Sequence, residues 1–303
     1  MNFLKNSKKF ILGGVAMVLA LSFAACSGGS KEGTIVVGGK DYTEQDVLVH
    51  LVSEIIEDKT DYDTDRKPYL GGTSVVVSSI KSGDVDVMVD YTGTGLIDVL
   101  KRDPMKNPDE VLEVVQEGYD KEYDIKWFDP IGFNNTYAIT MRREMAEDMG
   151  IEKLSDLPEY ASDFTFAAVQ EFLEREDGYD GMSETYGFEF GDVKAMDPGL
   201  SYTALKDEQA DISVSFGTDG RVPAFDFKII EDDKNFFPPY NASVVARNDT
   251  LENNPGLEEA LETLKGAISD EEMAKMNSRV DIDKDNPKDV AREWLIENNL
   301  IEE

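Results

Sequence analysis

A chain of 303 residues, 41% hydrophobic and 31% charged, has a globular composition and room for two packed units of ordinary domain size. Its formal charge of −33 repels nucleic acid and anionic lipid head groups and attracts cations in general. One cysteine and one histidine exclude internal disulfides, thiol-only metal sites and a histidine-based nucleophile constellation.

The amino terminus reads as an export signal: Lys5, Lys8 and Lys9 precede an uncharged segment over 10–25. Cys26 follows the small residues Ala24 and Ala25, where a lipoprotein signal peptidase would cut and a diacylglyceryl thioether would form. This stretch resembles a bacterial lipobox, although Phe23 stands where leucine is more usual. Residues 1–25 are therefore expected to be a lipoprotein signal peptide, with 26–32 a flexible linker from a lipid anchor on Cys26. No later run of apolar residues is long enough to span a bilayer.

From residue 33 the pattern is α/β. A strand over 33–38 leads through the loop beginning at Lys40 into a helix over 44–58, whose Val47, Leu48, Leu51, Val52, Ile55 and Ile56 form one apolar stripe. The lone His50 lies beside that stripe. A strand is expected near Tyr69 and Leu70, then a helix opened by Gly71-Gly72-Thr73-Ser74. That turn has neither the Walker lysine nor the Rossmann glycine spacing, although a helix start there suits the negative end of a ligand. Val85, Val87 and Val89 alternate in a buried strand over 85–91 that ends at Tyr91 and a Thr-Gly-Thr-Gly turn. Three such strands joined by helices imply a parallel sheet with right-handed crossovers, and open sheets of this kind place ligands at the carboxyl ends of their strands.

A helix over 107–123, a short strand over 125–128 and an extended stretch over 132–140 follow. The Asn-Asn pair in the last suits a crossing between lobes. The pattern then restarts, with a helix over 142–149, a strand over 164–168, an acidic loop and helix over 171–186, a helix over 200–208 and a strand over 212–216. The block 206–220 aligns without gaps on 81–95, matching Lys206 to Lys81, Asp211 to Asp86 and Phe216 to Tyr91. Two similar lobes would produce this echo. A strand over 227–230, the rigid aromatic loop Phe236-Phe-Pro-Pro-Tyr240 and a strand over 243–247 return the chain to the first lobe, and helices over 255–300 cap it.

At Lys40-Asp-Tyr-Thr-Glu-Gln45, Gly71-Gly-Thr, Tyr91-Thr-Gly-Thr94, Thr218-Asp-Gly-Arg221 and Phe236-Phe-Pro-Pro-Tyr240 the sequence resembles the substrate-binding proteins of osmoprotectant ABC importers. That resemblance implies a two-lobed type II periplasmic-binding-protein fold with its ligand cleft between the lobes. Lobe I would hold 33–134 and 244–303, and lobe II 135–243. It implies capture of glycine betaine, carnitine, choline or proline betaine outside the cytoplasmic membrane, and delivery to a membrane permease with a cytoplasmic ATPase. No cofactor, metal, nucleic acid or second copy is called for.

A trimethylammonium group has no N–H to donate, so aromatic faces hold it, each contributing about 0.5 to 2 kcal/mol. By similarity the aromatic cage falls on Tyr91, Tyr137, Phe216 and Tyr240, with phenylalanine at 216 where relatives usually carry tyrosine. The resemblance assigns Lys40, Thr94 and Arg175 to a ligand carboxylate and gives Asn135 a backbone carbonyl in the cage. Read from the residues alone, Lys40 and Arg175 are also compatible with solvated surface charges. A receptor for another small ligand, such as an amino acid or polyamine, is the alternative within the same class. An extracytoplasmic enzyme is the alternative outside it, and no metal cluster or partnered nucleophile supports that one.

Overall fold

The computed structural model describes residues 33–303; the expected signal peptide, linker and lipid-bearing Cys26 lie outside the described residues. The chain begins with β1 (Thr34–Gly38), α1 (Thr43–Lys59), β2 (Asp63–Lys67), α2 (Thr73–Ser82), β3 (Val87–Tyr91), the single turn α3 (Thr92–Thr94), α4 (Pro108–Tyr123) and β4 (Ile125–Asn134). It continues with β5 (Tyr137–Arg142), α5 (Arg143–Met149), β6 (Thr165–Ala168), α6 (Gln170–Glu174), α7 (Tyr179–Tyr186), β7 (Asp192–Ala195), α8 (Pro198–Lys206), β8 (Ile212–Phe216), α9 (Arg221–Ala224) and β9 (Phe227–Ile230). Finally come β10 (Asn241–Arg247) and the helices α10 (Asn248–Asn253), α11 (Leu257–Glu262), α12 (Asp270–Ser278) and α13 (Pro287–Glu297).

Two five-stranded sheets result, ordered β2-β1-β3-β10-β4 and β7-β6-β8-β5-β9. In the first, β1 runs parallel to β2 and β3 while β10 is antiparallel to β3. In the second, β6 runs parallel to β7 and β8 while β5 is antiparallel to β8. The echoed strands β3 and β8 therefore occupy the same third place in sheets of the same plan. Their echoed aspartates do the same work. The Asp86 carboxylate accepts the Val36 N–H at 2.8 Å, and the Asp211 carboxylate accepts the Thr165 N–H at 2.8 Å, each tying a helix–strand turn to the neighbouring parallel strand.

Helix α1 buries the stripe expected of it, with Val47, Leu51, Val52, Ile55 and Ile56 fully enclosed. Helix α4 starts where Asn107 accepts the N–H groups of Asp109 and Glu110 and Pro108 fills the first helical position.

Several expected elements differ. The second strand is Asp63–Lys67, not the region of Tyr69, which is 54% exposed with a left-handed φ of 57°. Strand β7 has no counterpart among the expected elements. Both are outer strands whose sequences, Asp-Thr-Asp-Arg-Lys and Asp-Val-Lys-Ala, carry the charges that keep open edges from pairing with other chains and so lack apolar alternation. Strand β4 runs on to Asn134 through register shifts against β10. The acidic loop and helix expected over 171–186 are the two helices α6 and α7 with an acidic break between them after Glu174. There, a side chain at Gly178 would press its Cβ to 1.9 Å from the Phe172 carbonyl oxygen.

Candidate functional site

The sheets are joined by two crossings, at 135–136 and at 231–240, and these bond to each other. The Asn135 N–H donates to the Tyr240 carbonyl at 3.0 Å, and the Tyr240 N–H donates to Asn134 Oδ1 at 2.8 Å. At this junction lies a cavity of about 620 Å³ reached by the carboxyl ends of β1, β3, β6 and β8. Tyr91, Tyr137, Phe216, Tyr240, Lys40, Thr94, Arg175 and Asn135 all line it.

Each ring reaches the cavity through a specific local cause. Tyr91 is the last residue of β3, and its hydroxyl donates to Glu44 at 2.6 Å while accepting from Gln45 Nε2 at 3.1 Å. Tyr137 and Phe216 are directly opposed in the β5–β8 register, their centroids 5.4 Å apart. Tyr240 stands at 80° to Tyr137, also at 5.4 Å, so two adjacent walls meet nearly at a right angle. Its ring lies so close to Gly93 that a Cβ there would approach it to 2.8 Å, which explains a glycine between the two threonines. Thr92 Oγ1 donates to the Pro239 carbonyl at 3.1 Å and accepts the Asn241 N–H, fixing the Pro-Pro-Tyr loop onto that turn. The Tyr240 hydroxyl donates to Asp177. Burial, reinforced by the neighbouring carboxylates, pushes the Tyr91 and Tyr240 phenols well above their ordinary range, so both remain neutral hydrogen-bond donors.

The two cations do not stand free. Lys40 is 3% exposed, its ammonium 2.7 Å from an Asp90 oxygen and 5.4 Å from the Tyr91 ring centre. Arg175, in the break between α6 and α7, makes a two-pronged pair with Asp177 at 2.7 and 2.6 Å, with Glu171 at 3.5 Å and Asp98 at 3.7 Å. Burial disfavours its charge, but Tyr137 and the hydrogen bonds of Asp177 outweigh burial and hold its pKa well above the usual guanidinium value. The reading of Lys40 and Arg175 as solvated surface charges is thus corrected: both are buried, because each has a carboxylate partner built beside it. Asn135 Nδ2 donates to Glu44 at 2.7 Å, and its Oδ1 is buried without a partner among the described residues.

Sequence reasoning did not assign Tyr42 or Glu171, which also line the cavity. Tyr42 is parallel to Phe216 within 1° at a centroid separation of 5.9 Å, backing the one wall that lacks a hydroxyl. Its signal was close to that of Tyr91, an aromatic residue at or just beyond the carboxyl end of a parallel strand. Glu171 accepts from Thr73 Oγ1 at 2.6 Å, a bridge from the start of α2 to α6 that no local pattern announces. Among the described residues no group of three or more His, Cys, Asp or Glu is placed to hold a metal, and no helix is long and apolar enough to cross a membrane.

Residues 33–297 match the family model described as the substrate-binding domain of the ABC-type glycine betaine transport system. The chain belongs to this family. It is a substrate-binding protein of an ABC transport system, not an enzyme, with the two-lobed α/β fold of periplasmic binding proteins. Proteins of this kind work outside the cytoplasm. It is 37% identical over 303 residues to the carnitine transport binding protein OpuCC of Listeria monocytogenes, covering 97% of this chain and 98% of that one. To a glycine-betaine-binding protein of Pseudomonas aeruginosa it is 33% identical, covering 95% of each. A crystal structure of a glycine betaine/carnitine/choline ABC transporter superposes with a TM-score of 0.74 at 34% identity, covering 88% of this chain and all of that one.

Proposed function

We propose that this substrate-binding protein captures a quaternary-ammonium compatible solute of the glycine betaine, carnitine, choline and proline betaine group, and delivers it to an ABC importer for osmoprotection. One observation carries the reading. Tyr91, Tyr137, Phe216 and Tyr240, drawn from both sheets and their crossing, converge on one cavity with Tyr42 beside them. A trimethylammonium group is suited to such a box because it presents spread positive charge and no donor. Lobe I, taken as 33–134 and 244–303, and lobe II, taken as 135–243, would close on a ligand touching rings of both, since only contacts that differ between open and closed states shift that equilibrium. The carboxylates Asp90, Asp98, Glu171 and Asp177 outnumber Lys40 and Arg175 around the cavity, which further favours a cationic head group.

Thr94, Lys40 and Arg175 are assigned to the ligand's far end, with Asn135 at the cage. The partners are a membrane permease and its cytoplasmic ATPase, and the chain acts as a monomer tethered to the outer face of the membrane by a lipid on Cys26. Calorimetric titration with glycine betaine, carnitine, choline and proline betaine tests the ligand class: micromolar or tighter binding of at least one is expected, and binding of none overturns it. Cys26→Ser should release the protein from the membrane fraction; unchanged membrane retention removes the lipid assignment.

A further inference from the structure

Behind the aromatic walls lies a carboxylate that none of the roles above employs. Glu44, in the first turn of α1, is 3% exposed and accepts four hydrogen bonds from four separate segments. Tyr91 Oη lies at 2.6 Å and Asn135 Nδ2 at 2.7 Å from one oxygen; Asn277 Nδ2 at 2.9 Å and the Thr218 hydroxyl serve the other. All four donors are neutral. The carboxylates next to it in the site each have a cation within 4 Å, Asp90 the Lys40 ammonium and Asp177 and Glu171 the shared Arg175 guanidinium, whereas Glu44 has no cationic partner among the described residues. A buried carboxylate held only by neutral donors keeps its charge uncompensated, an arrangement that is costly until a cation arrives nearby. Burial accordingly pushes its carboxyl above the usual glutamate value despite the donated bonds.

We infer that Glu44 is the fixed counter-charge of the aromatic cage, a specificity-determining residue that selects a permanently cationic head group over a neutral one of the same shape. The inference rests on the quaternary-ammonium reading. Two of its four donors, Tyr91 and Asn135, line the ligand cavity, so the carboxylate is one side chain removed from the ligand. Donating a hydrogen bond to a carboxylate makes the neutral Tyr91 phenol more electron-rich, which strengthens its face toward a cation. Asn135, which also lines the cavity, is held by its amide bond to Glu44, and its Oδ1 is buried with no hydrogen-bond partner among the described residues.

The test pairs choline with 3,3-dimethyl-1-butanol, in which carbon replaces the charged nitrogen at nearly the same shape, on the full chain. Wild-type protein should prefer choline by at least about a hundredfold, since Coulomb attraction at the working distances adds to the cation–π attraction of the walls. Glu44→Gln should cut choline affinity about tenfold or more and leave the alcohol within about twofold. Glu44→Asp, which keeps the charge, should retain most of the preference. Equal losses for both ligands in Glu44→Gln would make Glu44 a structural tie and overturn the inference, as would an unchanged choline affinity. A wild-type preference below about threefold overturns it without any variant. If wild-type protein binds no quaternary ammonium compound at all, the ligand reading falls and this inference with it; if it binds choline but Glu44→Gln loses both ligands alike, only this inference falls.

Discussion

The two lobes build their cavity walls on one plan and then hold them by different means. In each, the third strand of the sheet ends in an aromatic residue at the cavity, Tyr91 or Phe216, and an aspartate before the strand ties it to its parallel neighbour. One residue before the ring the lobes diverge. Asp90 is fully buried and paired with the Lys40 ammonium, whereas its echo Ser215 is fully buried and shares a 2.7 Å hydrogen bond with Thr140. Past the ring, Gly95 packs against Trp127 on β4 of the same sheet. Gly220 instead meets Ser278 and the Ala274 carbonyl of α12, far along the chain from its own sheet. The first lobe thus fixes its ring by charge and hydroxyl bonds, and the second by stacking against Tyr42 and Tyr137.

That difference can be broken at its largest point first. Asp90→Ala strands a buried ammonium and should lower unfolding free energy in chemical denaturation by about 3 to 5 kcal/mol. Ser215→Ala removes one neutral bond and should lower it by only about 0.5 to 1.5 kcal/mol. Equal losses would mean the two positions are equivalent after all. The shared feature should behave oppositely: Asp86→Ala and Asp211→Ala each remove a charged acceptor from a backbone N–H and should each cost about 1.5 to 3 kcal/mol. A difference larger than about 1 kcal/mol between them would weaken the parallel.

For the walls, Phe216→Ala should weaken binding of a quaternary ammonium ligand by at least about 1 kcal/mol in calorimetry, and Tyr91→Ala by as much. Unchanged affinity with intact folding would remove either ring from the cage. The smallest effect concerns pH. The folded-state pKa of Glu44 is raised by burial, so its contribution to the stability of the ligand-free protein is present below the ordinary glutamate value and is lost as pH rises through the raised one. Comparing wild type with Glu44→Gln across that window by denaturant unfolding should show the wild type losing ground as pH rises; a constant difference would mean that Glu44 does not titrate there.

Much of this was legible because periodicity and turn chemistry are local. The stripe of α1, the alternation of β3 and β8 and the rigid Pro-Pro-Tyr loop each announced themselves, and the echo between 81–95 and 206–220 pointed to two lobes of one plan. The outer strands β2 and β7 escaped because a strand paired on one side only has no need of an apolar pattern. An acidic loop was legible before α7, but the short helix α6 ahead of it was not, and the close approach of Gly178 to the Phe172 carbonyl depends on how the chain folds back.

By itself the sequence singled out the aromatic rings, the two cations and the turns at strand ends that the fold brings to the lining of one cavity. Only the tertiary structure decided who neutralises whom. The pairing of Lys40 with Asp90 spans 50 positions, and Thr218 reaches Glu44 across 174. Electrostatic partnership depends on distance in space, and no period along the chain records it.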